Sequence, residues 1–353
     1  MSTEKPIPDG FTLRNTLLGH TSEINRITWS PDGSMLASSS FDKAVRVWNV
    51  QTGQSQFFRV GHTGAIYSVA WSSDGLALAS CSQDKSVTVW DTQSYTHLYV
   101  GEHHGNVYDI AWVLGSTSLA SCSADQTIKL WDIAPPRLKK PIQLKGHASE
   151  IFCLAHEPNR NILASGSSKG PIRVWNVSLT NMGAYVGSLR GHSAATYSLA
   201  WSPDGMLLAS GSEDHTVRLW KPETEQQLHI LEGHTDAVTS VSFSFDGRLL
   251  ASKSRDGTVR LWRTDTWEMV ATLAESASNG LFAGVAFHPN APILATVGER
   301  DSVLHIWELD IPYLLGLAPT QPSVHYRNAK VVLIGAGLVN ASSLSWTKRA
   351  RER

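Results

Sequence analysis

Histidine, serine and aspartate recur through this chain at a fixed rhythm, and together those three side chains could hydrolyse an acyl bond. A serine hydroxyl would be the nucleophile, an imidazole the base, and a carboxylate would hold the imidazole's tautomer. The segments "GHTSEINRITWSPDGSMLASSSFDKAVRVWN", "GHTGAIYSVAWSSDGLALASCSQDKSVTVWD" and "GHSAATYSLAWSPDGMLLASGSEDHTVRLWK" each carry the trio. Two observations count against catalysis. The set repeats five times, whereas a catalytic site is normally built once, and no serine stands in a G-x-S-x-G strand–turn–helix context.

The elements that position these residues follow from the repeat itself. Trp48, Trp90, Trp131, Trp175, Trp220, Trp262 and Trp307 are spaced 41 to 45 residues apart. Within one unit "EINRITW", "SMLASSS" and "AVRVWNV" read as strands separated by turn chemistry, with "SQFFRVG" as a fourth before the next Gly-His. Pro31-Asp32-Gly33 supplies a preset φ, a side-chain acceptor and a residue tolerant of positive φ. A Gly-His start and a Trp-Asp-like end every 40–45 residues is the mark of a β-propeller. The expected fold is therefore all-β, a seven-bladed propeller of four-stranded antiparallel blades with only short exposed edges.

On these motifs the chain resembles the WD-repeat family from Phe11 to about Leu309. The resemblance implies a buried Trp–Ser–His–Asp network in each blade. Indole N–H only donates, serine and histidine can each donate and accept, and aspartate ends the chain as acceptor. Carried over by position, the sets are His20, Ser38, Asp42, Trp48; His62, Ser80, Asp84, Trp90; and His103, Ser121, Asp125, Trp131. The fifth and sixth blades give His192, Ser210, Asp214, Trp220 and His234, Ser252, Asp256, Trp262. Two blades depart. The fourth keeps His147, Ser165 and Trp175 with Lys169 in place of Asp; the seventh keeps Thr296, Asp301 and Trp307 with Ser278 in place of His. The resemblance also implies closure by the N-terminal strand, Phe11–Leu17 pairing beside Val303–Trp307.

Members of this family usually bind peptides or protein surfaces on the face around the narrow end of the channel. The matching offsets here give Glu23, Asn25, Phe41, Tyr67, Gln83, Asn106, Tyr108, Glu150, Phe152, Tyr197, Glu213, Arg255 and Arg300 as partner-binding residues. Five aromatics, Phe41, Tyr67, Tyr108, Phe152 and Tyr197, then ring one rim, as interface hot spots would. The other reading of those rings is that they plug the channel mouth. Arg255 and Arg300 are expected on the opposite arc from Glu23 and Glu150.

Composition narrows the function class. A net charge of −1 over 353 residues gives no basic surplus for nucleic acid or anionic lipid. No apolar run is long enough for a membrane span, and the opening "MSTEKPIPDG" has no signal-peptide core. A cytoplasmic protein, monomeric on its own, is expected, with no cofactor and no metal. Cys81, Cys122 and Cys153 read as small buried thiols.

The domain reading is residues 1–10 as a tail, 11–310 as the propeller, 311–324 as a linker and 325–353 as a remnant. In that remnant "NAKVVLIG" resembles the opening of a Ras-like P-loop GTPase module, of the kind that follows propellers in some large bacterial regulators. Asn340, Ala341 and Ser342 fall where the loop's second glycine, lysine and hydroxyl residue belong. Nucleotide binding is accordingly not expected. The leading expectation is a non-enzymatic protein- or peptide-binding scaffold; the alternative is the detached sensor half of a nucleotide-switch regulator.

Overall fold

A computed structural model describes residues 6–317, apart from 59–60, 95, 114–117, 134–139, 179, 276, 278–281, 283 and 299–301. The 325–353 segment, with its P-loop resemblance, lies outside the described residues.

Each repeat lays down strands from the axis outward. In the first blade these are Ile24–Trp29, Met35–Ser40, Val45–Asn49 and Ser55–Phe58. The turn after the first strand closes on its own side chains: Asp32 accepts from the Ser30 hydroxyl (2.5 Å) and the Ser34 N–H (3.0 Å), and Gly33 takes φ 76°. Asp74, Asp204 and Asp246 accept from Ser72, Ser202 and Ser244 in the same way. The result is seven four-stranded antiparallel sheets. Adjacent sheets bury their apolar faces on one another, so Leu36, Trp48 and Ile24 of the first blade share a core with Leu304 and Ile306 of the seventh.

The seventh sheet is completed from the other end of the chain. Phe11–Leu18 pairs antiparallel with Val303–Leu309, Phe11 opposite Leu309 and Leu18 opposite Val303, with a register shift between Leu13 and Asn15. Phe11 and Leu17 are buried, and the Phe11 ring meets Trp307 edge-on at 6.2 Å. Beyond the last strand a short helix, Ile311–Leu314, is capped by Asp310, which accepts from the Tyr313 N–H at 3.0 Å. Ile311, Leu314 and Leu315 pack with Phe11 and Trp307. The first residues of the expected linker therefore belong to the propeller, because three apolar side chains there complete the core of the closing blade. The three cysteines are buried and unbridged. No helix among the described residues is long and apolar enough to cross a membrane.

Candidate functional site at the mouth of the central channel

The recurrent polar sets close on themselves inside the blades. In the first, His20 Nδ1 lies 2.7 Å from Asp42 and Nε2 2.7 Å from Ser38 Oγ, which also accepts from Trp48 Nε1 at 2.9 Å. The third blade gives 2.9, 2.7 and 2.8 Å for His103–Asp125, His103–Ser121 and Trp131–Ser121. In the fifth, His192 lies 2.8 Å from Asp214 and 2.6 Å from Ser210, and Trp220 donates to Ser210 at 2.8 Å. The sixth has 2.9, 2.8 and 2.9 Å for His234–Asp256, His234–Ser252 and Trp262–Ser252. In the second, His62 contacts Asp84 at 3.1 Å and Ser80 at 2.8 Å, with Trp90 buried beside them.

Each aspartate also accepts from the backbone N–H after its histidine, as Thr21 does to Asp42 at 3.1 Å, so the network ties two loops of the channel face together. Burial works to raise these carboxyls, but hydrogen bonds from histidine, hydroxyl and backbone outweigh it and hold them below the usual range. A buried serine hydroxyl already engaged by an indole and an imidazole has no approach for a substrate.

The two departing blades differ in kind. In the fourth, His147 keeps Ser165 at 2.7 Å, and Trp175 donates to Ser165 at 2.8 Å. Burial, helped by Arg173, pushes the His147 imidazole down to about 4. Lys169 is exposed, and its backbone carbonyl accepts from Ser149 and Ser167. In the seventh, Trp307 donates to Thr296 at 2.9 Å, Thr296 donates to Glu275 at 2.5 Å, and His305 lies 3.1 Å from Glu275. Glu275 supplies the acceptor to Thr296; Ser278, which stands at the histidine position, and Asp301 lie outside the described residues.

The channel face has a local cause. In each of the first six blades the innermost strand shifts register against its neighbour at one residue: Asn25, Tyr67, Tyr108, Phe152, Tyr197 and Thr239. A bulge leaves its extra residue unpaired and re-aims the side chain, here toward the axis. The four rings at these positions are buried and continuous. Centroids are 5.2 Å apart for Tyr67–Tyr108, 5.1 Å for Tyr108–Phe152 and 5.6 Å for Phe152–Tyr197, with Phe41 5.8 Å from Tyr67. Phe282, fully buried, sits 5.9 to 6.3 Å from all four. Seven strands converging on one axis leave an aperture that this ring fills.

Phe282, Arg26 and Asp109 are the residues that sequence reasoning missed. The Arg26 guanidinium lies 5.5 Å from the Phe282 centroid, donates to the Tyr197 carbonyl at 3.1 Å and approaches Asp109 at 3.5 Å. Asp109 in turn accepts from the Ser68 hydroxyl at 2.7 Å and from the Leu154 N–H at 2.9 Å. A brace from blade one to blades three and five thus lies beneath the aromatic plug. The only signal for it was a charged residue in two innermost strands where other blades carry Ser, Cys or Gly.

The polar candidates stand around this floor. Gln83 and Glu213 are exposed, Glu23, Asn106, Glu150 and Arg255 are partly exposed, Asn25 is buried with its amide donating to Ile66 at 2.8 Å, and Arg300 lies outside the described residues. Tyr108 donates to Glu150 at 3.3 Å; burial first, then that carboxylate, pushes its hydroxyl up to about 12. The Arg255 guanidinium sits 5.4 Å from the Tyr197 centroid, and the Tyr197 hydroxyl lies beside Glu213 and Arg255. The mouth therefore offers a hard aromatic floor bordered by carboxylates, amides and one guanidinium. Among the described residues no group of His, Cys, Asp or Glu could hold a metal ion.

The family model for the WD domain, G-beta repeat, matches residues 11–49, 53–91, 95–132, 138–176, 183–221 and 225–263. Each of these segments begins near an outer strand and ends on the third strand of the following blade, the offset that interlocks neighbours and leaves Phe11–Leu18 to close the ring. Single stretches are similar to curated proteins. The chain is 51% identical over 41 residues to the Notchless protein homolog of Arabidopsis thaliana, 12% of this chain and 9% of that one. It is 38% identical over 52 residues to Protein HIRA of Zea mays, 15% and 5% of the two chains. With Ribosome assembly protein 4 of Chaetomium thermophilum it shares 35% identity over 49 residues, 14% and 10%. The matched stretch thus spans a tenth or less of each relative's length.

Proposed function

Because the chain belongs to the WD-repeat family, we propose that it is a non-enzymatic scaffold that captures a protein or peptide on the channel-mouth face. The observation that carries this reading is the mouth's construction. Glu150, Glu213, Arg255, Asn106 and Gln83 stand on short, internally hydrogen-bonded loops around a filled aromatic floor. A surface fixed in this way loses little freedom on binding, and a filled aperture suits a segment lying across it better than a molecule entering it. Ribosome assembly protein 4 carries assembly in its name, which is the kind of role such a surface serves. Neither nucleic acid nor membrane is proposed as the partner, since the chain's net charge is −1, and the propeller is taken to act as a monomer.

The test is affinity capture with partners identified by mass spectrometry, comparing wild type with Glu150→Ala/Glu213→Ala/Arg255→Ala. Gln143→Ala/Lys145→Ala on an outer strand serves as control. The triple change should lose specific partners that the control retains. Retention of the same partners by a folded triple variant would refute the assignment of this face.

A further inference from the structure

The opposite face, where the Ser-Pro-Asp-Gly-type turns lie, holds a feature that the channel mouth does not explain. Blades one and two leave between them a cavity of about 360 Å³ lined by Trp71, Trp90, Met35 and Leu78 together with Asp32, Asp74 and Asp91. A small residue at this junction leaves the space open, as serines Ser72, Ser202 and Ser244 also stand at that place in blades two, five and six, whereas two other junctions are filled. Between blades seven and one, His288 lies over Gly33, 3.1 Å from the Gly33 carbonyl and 4.7 Å from the Trp29 ring. Between blades four and five, the Glu157 carboxylate lies against Gly205. The residue at that place in blade one is Ser30, whose hydroxyl is committed to Asp32, so the space beside Gly75 meets only Pro31.

The aromatic wall also departs from its counterparts. Trp29, Trp112 and Trp201 each donate their indole N–H to a carbonyl of the preceding blade, at 3.1, 2.9 and 3.0 Å. The buried Trp71 Nε1 makes no such bond. Its ring is therefore held by contact alone and can adjust to an occupant. On the solvent side, Asp32 and Asp74 are exposed and Asp91 partly so, and no basic side chain lines the cavity. All three carboxyls are held below their ordinary range by hydrogen bonds from their own turns, first from Ser30, Ser72 and the Ser94 N–H. They are anionic at any physiological pH and uncompensated within the cavity.

We propose that this cavity is a second docking point, which takes one arginine side chain from an extended segment of a partner protein. A guanidinium presents five donors in a rigid plane and stacks on aromatic faces. Three carboxylates beside two indoles match both properties, and the volume is near the small end of ligand pockets, about 300 Å³. The site is independent of the channel mouth and would let one propeller hold two segments, or one long segment wrapped over its rim.

The probe is the tripeptide acetyl-Gly-Arg-Gly-amide, read by fluorine NMR on protein carrying 5-fluorotryptophan, with Trp71→Phe assigning the resonance. The Trp71 signal should move on titration, and the near-isosteric citrulline peptide, in which a urea oxygen replaces one NH2 so that the charge and two donors are lost, should not move it. Asp74→Asn/Asp91→Asn keeps the turn-capping oxygens and should weaken the response roughly tenfold, while the channel-mouth triple variant should respond as wild type does. No movement at millimolar peptide, equal movement with citrulline, or loss of the response in the channel-mouth variant would each overturn the proposal. The citrulline comparison needs no variant and so stands however the Asn changes fold.

Discussion

Replacing His192 by alanine should destabilise the fold more than replacing His147, although both remove the same buried ring. The cavity left behind is common to the two and cancels in the comparison. What differs is the set of partners. His192 makes two contacts, 2.8 Å to Asp214 and 2.6 Å to Ser210, whereas His147 bonds to Ser165 at 2.7 Å with no aspartate beyond it among the described residues. Breaking a buried ion pair commonly costs about 3–5 kcal/mol, but that is an upper bound here. After the change Asp214 would still accept from the Ser193 N–H at 3.1 Å and the Thr216 hydroxyl at 2.6 Å, with Arg218 3.7 Å away. The expected excess is therefore one charge-assisted hydrogen bond, about 1.5–3 kcal/mol, or, for a fold of this size, a further drop in Tm of roughly 2–5 °C. Urea and thermal unfolding at neutral pH, followed by tryptophan fluorescence, measure it directly. Equal losses in the two variants, or a larger loss for His147→Ala, would refute the claim that aspartate is the energetically distinctive member of the network.

Deleting residues 1–18 strips the outer strand from the closing blade and exposes Val303–Leu309 as an unpaired edge, a template for self-association; size-exclusion chromatography and thermal unfolding should show oligomers and a lowered Tm, and a monomer of wild-type stability would contradict the closure energetics. A second expectation concerns acid. Burial holds His147 at about 4, below its ordinary 6.5, so the unfolded chain takes up the proton first. The stability is complete above about pH 6.5 and is lost as pH falls toward 4, by roughly 3 kcal/mol for this group. His147→Gln, which can still donate to Ser165, should remove this group's share of that slope in urea titrations; His103, His156, His192 and His288, also held below their ordinary range by burial, keep theirs, and the network carboxylates lose stability only below the ordinary carboxylate range.

Most of the architecture was legible because each strand announces itself by its own chemistry. Alternation in "INRITW", the Pro31-Asp32-Gly33 turn and the Trp48 position all point to one blade, and the structure keeps every one of those roles. The N-terminal closure was legible from the same logic, since Phe11–Leu18 is an outer strand with no blade before it. The channel mouth was half legible. Offsets located Tyr67, Tyr108, Phe152 and Tyr197, but exposure depends on how far apart the strands stand around the axis, which no local pattern records. Phe282 closes that space from a loop with no repeat-like spacing. The four rings are buried, so truncating Tyr108 or Tyr197 would test packing before it tested binding. The cavity between blades one and two was not legible at all, because Ser72, Ser202 and Ser244 repeat Ser30 in other blades and the local pattern does not mark this junction out.

The seventh blade shows why a repeat can keep its geometry after its motif has dissolved. Matches to the family model stop at residue 263, yet the sheet beyond it is four-stranded and antiparallel like the others. At the offset where other blades carry the histidine, this one carries Ser278. The physical requirement is looser than the motif: an indole donor, a hydroxyl relay and a terminal acceptor held by a cation or donor. Thr296 supplies the relay, Glu275 the acceptor, and His305, three residues into the strand Val303–Leu309, supplies the donor. Histidine and carboxylate have changed places relative to the strands while the chain of bonds from tryptophan remains. A further difference is Lys253, fully buried in the sixth blade and donating to the Val297 carbonyl at 2.7 Å. Burial works to raise the Glu275 carboxyl, but His305 first and then the Lys253 charge outweigh it and hold that carboxyl below its ordinary range. The ion-paired cluster thus spans the junction of blades six and seven. Position-by-position reading finds a network only where residue types stay in register; reading for donors and acceptors finds it wherever the bonds can close.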